Sequence, residues 1–103
     1  MSDKTQATPT LDELRARRDD IIALAKRHGA SNVRVFGSVA QGKTTAKSDV
    51  DFLVSFREGA SIFDQVGLWL DLQDLLGCEV DLLTDHPDAG RVTDAVRQRA
   101  IAL

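Results

Sequence analysis

The chain of 103 residues has one cysteine, one tryptophan and no tyrosine, so only 5% of it is aromatic. A single thiol, Cys78, cannot form an internal disulfide, and without companions it makes no metal–thiolate site. Its place just before an apolar run predicts a buried structural thiol. No apolar run is long enough to suggest a membrane span and neither end reads as a signal peptide, so no membrane association and a cytoplasmic location are expected. Excess positive charge is also missing: the formal net charge is −3 and the pI about 5.2. Binding through an extended basic nucleic-acid surface is therefore not expected, since such domains usually have a pI above ~9. Repeats, low-complexity blocks and linkers are absent. The length suits one domain with one core, expected over 10–103 behind a flexible stretch at 1–9.

What is present is an ordinary globular balance, 43% hydrophobic and 28% charged, arranged around one stretch from Val33 to Phe56. It contains two short apolar runs, a turn at Gly37-Ser38, and Asp49-Val50-Asp51 opening the second run. In a strand, residues two apart share a face, which sets the Asp49 and Asp51 Cα atoms roughly 6.5–7 Å apart with Val50 turned to the core. Like charges so close repel unless cations lie between them, and two metal ions ~3.5–4 Å apart would satisfy both. Oxygen ligands favour Mg²⁺ over zinc. A glycine-serine turn followed by one helical turn over Val39–Gln41 would aim backbone N–H groups, and the Ser38 hydroxyl, at phosphate. Gly37, Ser38 and Lys43 are thus candidate nucleotide-binding residues. Asp-Val-Asp alone also fits a half-buried strand with one wet face; its coupling to Gly37-Ser38 favours a site.

Gly37-Ser-Val-Ala-Gln-Gly42-Lys43-Thr44 also satisfies the P-loop pattern. That loop requires its lysine and threonine to begin a substantial helix, and only four residues, Thr45 to Ser48, precede the next strand. A parallel crossover needs a dozen or more residues, so a small P-loop hydrolase is the weaker alternative.

Elsewhere, Thr10 with Glu13 predicts a capped first helix, with Leu11, Leu14, Ile21, Ile22 and Ala25 inward and Gly29 at its end. His28 is read as a structural residue near the helix C-terminus. Strands are expected over Val33–Phe36, Asp49–Phe56 and Glu79–Leu83. Ser61 and Asp64 start a helix over Ile62–Leu76 that stops at Gly77. Its stripe of Ile62, Phe63, Val66, Trp69, Leu70 and Leu76 suffices for packing on a sheet. Leu68, Leu72 and Leu75 widen it beyond what a surface helix needs, through internal packing or contact with a partner or second copy. Val92, Ala95, Val96, Ala100 and Ile101 support a last helix, with Arg91, Arg97 and Arg99 toward solvent or an acidic partner; His86 and Pro87 are read as surface. The fold expected is α/β, alternating α-β-α-β-α-β-α around a small mixed sheet.

Gly37-Ser38, ten intervening residues, Asp49-Val50-Asp51 and the later Glu79-Val80-Asp81-Leu82-Leu83 resemble the DNA polymerase β nucleotidyltransferase superfamily. Within it the chain is similar, from about Leu11 onward, to minimal nucleotidyltransferases, the antitoxin partners of HEPN-type toxins. The resemblance implies two Mg²⁺ ions on Asp49, Asp51 and Asp81, with Asp81 also orienting or deprotonating an acceptor hydroxyl. It implies AMP transfer from ATP to a tyrosine of a HEPN ribonuclease, silencing it. Gln41 departs from the family, where this position is often arginine; Lys43 or Lys47 are candidates to compensate. The competing class is a binding module that occludes a partner through the surface around Leu68, Trp69 and Leu72, without chemistry.

Overall fold

The computed structural model describes residues 9–42, 49–85 and 94–103. Expectations for 1–8, Lys43, Lys47, Ser48, His86, Pro87, Arg91 and Val92 lie outside the described residues. Thr10 opens α1 (Leu11–Ala16). Its Oγ1 accepts from the Glu13 N–H at 3.2 Å, and the Glu13 carboxylate accepts from the Thr10 N–H at 2.9 Å. This pairs two donors that helix geometry leaves open. The single first helix is corrected to two: the chain breaks at Arg17, and α2 (Arg18–Arg27) follows. At the break the Arg17 N–H turns back to the Leu14 carbonyl, and its Nη1 donates to the Leu75 carbonyl at 2.7 Å. A tertiary bond thus forms where the helix is interrupted, while Leu14, Ile21 and Ala25 stay on one buried face.

Gly29, at φ +77°, turns the chain from α2 into β1 (Ala30–Phe36). This strand runs antiparallel to β2 (Val50–Phe56), from Ala30 opposite Phe56 to Phe36 opposite Asp51. It begins earlier than Val33 because pairing continues past a bulge between Ser31 and Arg34, where Asn32 takes φ +52°. Between the two strands lies α3 (Gly37–Gln41). β2 runs parallel to β3 (Val80–Thr84) in the register Val50–Val80, Asp51–Asp81, Phe52–Leu82.

The last helix also differs from expectation. α5 (Asp94–Arg99) is short, and Ile101 with Ala102 forms β4, antiparallel to β1, Ile101 opposite Val35 and Ala102 opposite Arg34. A continued helix would leave that edge of β1 unpaired; the strand covers it. The Leu103 N–H extends the cover to the Val33 carbonyl at 3.1 Å. The four-stranded mixed sheet has the order β3-β2-β1-β4, so the α/β class stands with one helix divided and one strand added.

α4 (Ile62–Leu76) spans the expected residues, its Ser61 N–H held by the Asp64 carboxylate at 3.0 Å. Its inward face reverses the expected one. Leu68 and Leu72 are buried, whereas Ile62, Phe63, Val66, Leu70 and part of Trp69 are exposed. Neither buried leucine belongs to a partner surface. The reason is that α2 and β3 pack against α4, and Leu68 and Leu72 join Leu14, Ile21, Ala25, Val35, Val50, Phe52 and Val54 in the main core. His28 keeps a structural role with a partner distant in sequence: its Nε2 lies 2.7 Å from Asp71 Oδ2. Its ring fills the space beside Gly67 that a Cβ would need. The opposite sheet face carries a smaller cluster, Leu53 and Leu83 with Phe36, Val96 and Ala100. Among the described residues no helix is long and apolar enough to cross a membrane.

Candidate functional site

Alternation along β2 sends Val50, Phe52 and Val54 into the main core and Asp51 and Leu53 to the α5 face. Parallel pairing then sets Asp81 of β3 directly beside Asp51, on strands ~4.8 Å apart. Antiparallel pairing sets Phe36 beside Asp51 from the other side, so Gly37 follows at the same level. Gly37 adopts φ +74°, and a Cβ on it would run into Asp51 Oδ2. Glycine is therefore required twice, for the backbone angle and for the approach of the carboxylate. Asp49 stands exposed just before β2.

The Asp51 carboxyl is pushed up to about 6, first by burial, then by the charges of Asp81 and Asp49. The three sequence-predicted carboxylates are thus electrostatically joined, with Asp51 at the centre. Among the described residues no three His, Cys, Asp or Glu side chains are gathered closely enough to hold a metal ion. The donor set nevertheless fits hard divalent cations: carboxylate oxygens of like charge, one partly desolvated, whose mutual repulsion a cation relieves.

Ser38 is half-buried in the first turn of α3, which ends at Gly42 with φ +71°. This helix starts at Gly37, earlier than expected, and precedes Lys43 instead of following it. Together with the antiparallel β1–β2 pair, that departs from the strand–loop–helix crossover of a P-loop. Cys78 is half-buried beside the main core. Burial, then Asp49 and Glu79, push its thiol up, which keeps it protonated and unreactive.

Two concavities flank the carboxylates. One, of about 370 Å³, is lined by Gly37, Ala40, Gln41 and Arg99. The other, of about 320 Å³, is lined by Ile62, Gln65, Val66, Trp69, Val80, Asp81 and Leu82. At the second, the Trp69 indole N–H donates to the Val80 carbonyl at 2.7 Å and Gln73 Oε1 accepts from the Val80 N–H at 3.3 Å. These bonds occupy the backbone N–H and carbonyl of Val80 on the edge strand β3, while its side chain lies in the main core. Arg99 had been expected only at solvent or an acidic partner. Its place beside the turn follows from β4, a strand too short to leave a period in the sequence.

The family model described as polymerase beta, nucleotidyltransferase, matches residues 19–101. A protein of Methanocaldococcus jannaschii assigned as a protein adenylyltransferase is 37% identical over 81 residues, covering 79% of this chain and 87% of the relative. The solved structure of a protein assigned as a minimal nucleotidyltransferase superposes with a TM-score of 0.80 at 45% identity, covering 92% of this chain and 97% of the other. A crystal structure described as a toxin–antitoxin with AMP-PNP shares the fold, with a TM-score of 0.69 at 22% identity over 82% of this chain and 69% of the other.

Proposed function

The chain belongs to the polymerase β nucleotidyltransferase family, and from that premise we propose that it moves AMP from ATP to a hydroxyl of a partner protein. The partner in this reading is a HEPN-type ribonuclease toxin, silenced by modification of a tyrosine; a nucleotide-bound toxin–antitoxin structure of the same fold supports such a context. The observation that carries the reading is the register of Asp51 against Asp81, with Gly37 packed on the same carboxylate.

In this mechanism Asp49, Asp51 and Asp81 would hold two Mg²⁺ ions. When bound, these ions supply charge neutralisation and polarisation of the triphosphate. Gly37 and Ser38 hold phosphate oxygens through backbone N–H groups and the Ser38 hydroxyl, and Lys43 adds a cation. Asp81 orients the acceptor hydroxyl and accepts its proton. The hydroxyl oxygen bonds to the α-phosphorus, and the bond to the β-phosphate breaks, releasing pyrophosphate. The acceptor reaches Asp81 through the groove of Ile62, Val66 and Trp69, on the side of β2 away from Gly37.

The test combines the purified protein, Mg²⁺, α-labelled ATP and the product of the neighbouring gene. Label is expected on that product with wild type and is lost with Asp49→Asn/Asp51→Asn. No labelling, with equal neutralisation of the neighbour by the double variant, would favour the second reading. That reading is a binding module acting through the exposed Ile62, Phe63, Val66 and Leu70 of α4.

A further inference from the structure

The candidate site is rich in carboxylates, and a triphosphate would add further negative charge to it. Mg²⁺ ions on Asp49, Asp51 and Asp81 would offset part of that charge. Across the turn, away from these aspartates, the requirement is a cation of the protein's own. Among the described residues the turn itself supplies none, because α3 reads Gly-Ser-Val-Ala-Gln.

The tail of the chain brings one there. Val35 faces Ile101 and Arg34 faces Ala102 in an antiparallel pair. Carrying that register two residues on sets Arg99 level with Gly37. Arg99 and Gly37 indeed line one cavity of about 370 Å³, with Ala40 and Gln41 forming the rest of its described wall. The neighbouring arginines are already engaged. Arg34 is 2.9 Å from Asp85. Arg97 is 2.8 Å from Asp85 and 3.1 Å from Asp94. Arg99, the last residue of α5, is exposed and pairs with no carboxylate among the described residues. The Arg97–Asp85–Arg34 contacts tie the helix that carries it to the sheet, so its backbone is anchored on both sides, by ion pairs before it and by β4 after it.

We propose that Arg99 is a phosphate-binding residue: its guanidinium closes the Gly37–Gln41 cavity over the terminal phosphates of the nucleoside triphosphate. The assignment rests on the transferase reading above and extends it to a residue of the last helix. Guanidinium suits the task, since its planar fork can give two parallel hydrogen bonds to one phosphate group and stays charged at any physiological pH. The ligand class follows from the position. A group on the Gly37 side of Asp51 meets the polyphosphate, not the acceptor, whose groove lies on the Asp81 side.

Titration calorimetry of the full chain in Mg²⁺ tests this, with ATP and AMP as probes and wild type, Arg99→Ala and Arg99→Lys as proteins. Arg99→Ala is expected to weaken ATP by about tenfold or more, the scale of a lost charge-assisted hydrogen-bonded pair. AMP is expected to change by less than about twofold, and Arg99→Lys to recover part of the ATP affinity as a single point charge. Equal ATP affinity in wild type and Arg99→Ala overturns the assignment and leaves the transferase reading standing. A parallel loss for ATP and AMP also overturns it, by pointing to a displaced α5; circular dichroism melts of the variants identify that case independently. Wild type that binds no ATP in Mg²⁺ removes both the assignment and the reading beneath it.

Discussion

At the scale of single residues, Asp51 carries the tension in this fold. Its carboxyl is half-buried, flanked by Asp81 and Asp49, and pushed up from 3.8 to about 6. An acid with a raised folded pKa binds its proton more tightly folded than unfolded. In the metal-free protein stability therefore falls as pH rises through the window from about 4 to 6, and the penalty is absent below it. Asp51→Asn removes the charge and keeps the shape. Thermal melts in chelator should show this variant above wild type in Tm at pH 7, with the gap closing toward about pH 4. Mg²⁺ should raise wild type and leave the variant unmoved. A gap that widens toward low pH would contradict the electrostatic account. The i, i+2 spacing marked Asp49 and Asp51 as a pair; the strand expected from Asp49 starts one residue later, at Val50, and Asp49 stands just before it with its charge acting on Asp51. The contact of Gly37 with Asp51 was not legible as a contact: the motif marked both residues, but only the Phe36–Asp51 pairing brings them together.

At the scale of elements, α4 shows where periodicity stops being informative. Its boundaries, the Ser61–Asp64 start and the Gly77 stop, follow from local capping chemistry and were readable. Its inward face was not. Leucines and aromatics fill more than half the circumference, so the pattern admits two faces, and the choice belongs to α2 and the sheet. Leu68 and Leu72 go in; Phe63 stays 83% exposed, beyond what packing on the sheet could hide. This division has a direct energetic consequence. Leu68→Ala should cost roughly 2–5 kcal/mol in urea unfolding, a buried truncation with a cavity. Ile62→Ser and Phe63→Ser should stay within about 0.5 kcal/mol of wild type, as surface changes do. The opposite ranking would mean that α4 is turned the other way. The Arg17 break and β4 escaped the sequence for a different reason. One depends on a tertiary bond to Leu75, the other on two residues whose only cue is an unpaired edge elsewhere.

At the scale of the whole molecule, the strand order β3-β2-β1-β4 gives the site two sides. Asp51 sits on β2, between the Gly37–Arg99 cavity on the β1–β4 side and the Ile62–Val66–Trp69 groove on the β3 side. A transferase must hold two substrates in near-attack geometry without either blocking the other; in the proposed reading this sheet would do so by receiving them from opposite sides of β2. Kinetics should separate the two sides. Ile62→Ser is expected to raise KM for the acceptor protein several-fold, the loss of an apolar contact at an interface, with KM for ATP unchanged. Arg99→Ala is expected to do the reverse. Because the two residues share no partner among the described contacts, the double variant should show both rises in KM undiminished, so that kcat divided by the product of the two KM values falls by the product of the single losses, their free energies adding. A double variant no worse than the poorer single one, or a rise in KM for ATP from Ile62→Ser, would mean that both substrates enter from one side and that the edge strand β3 is no part of the acceptor's route.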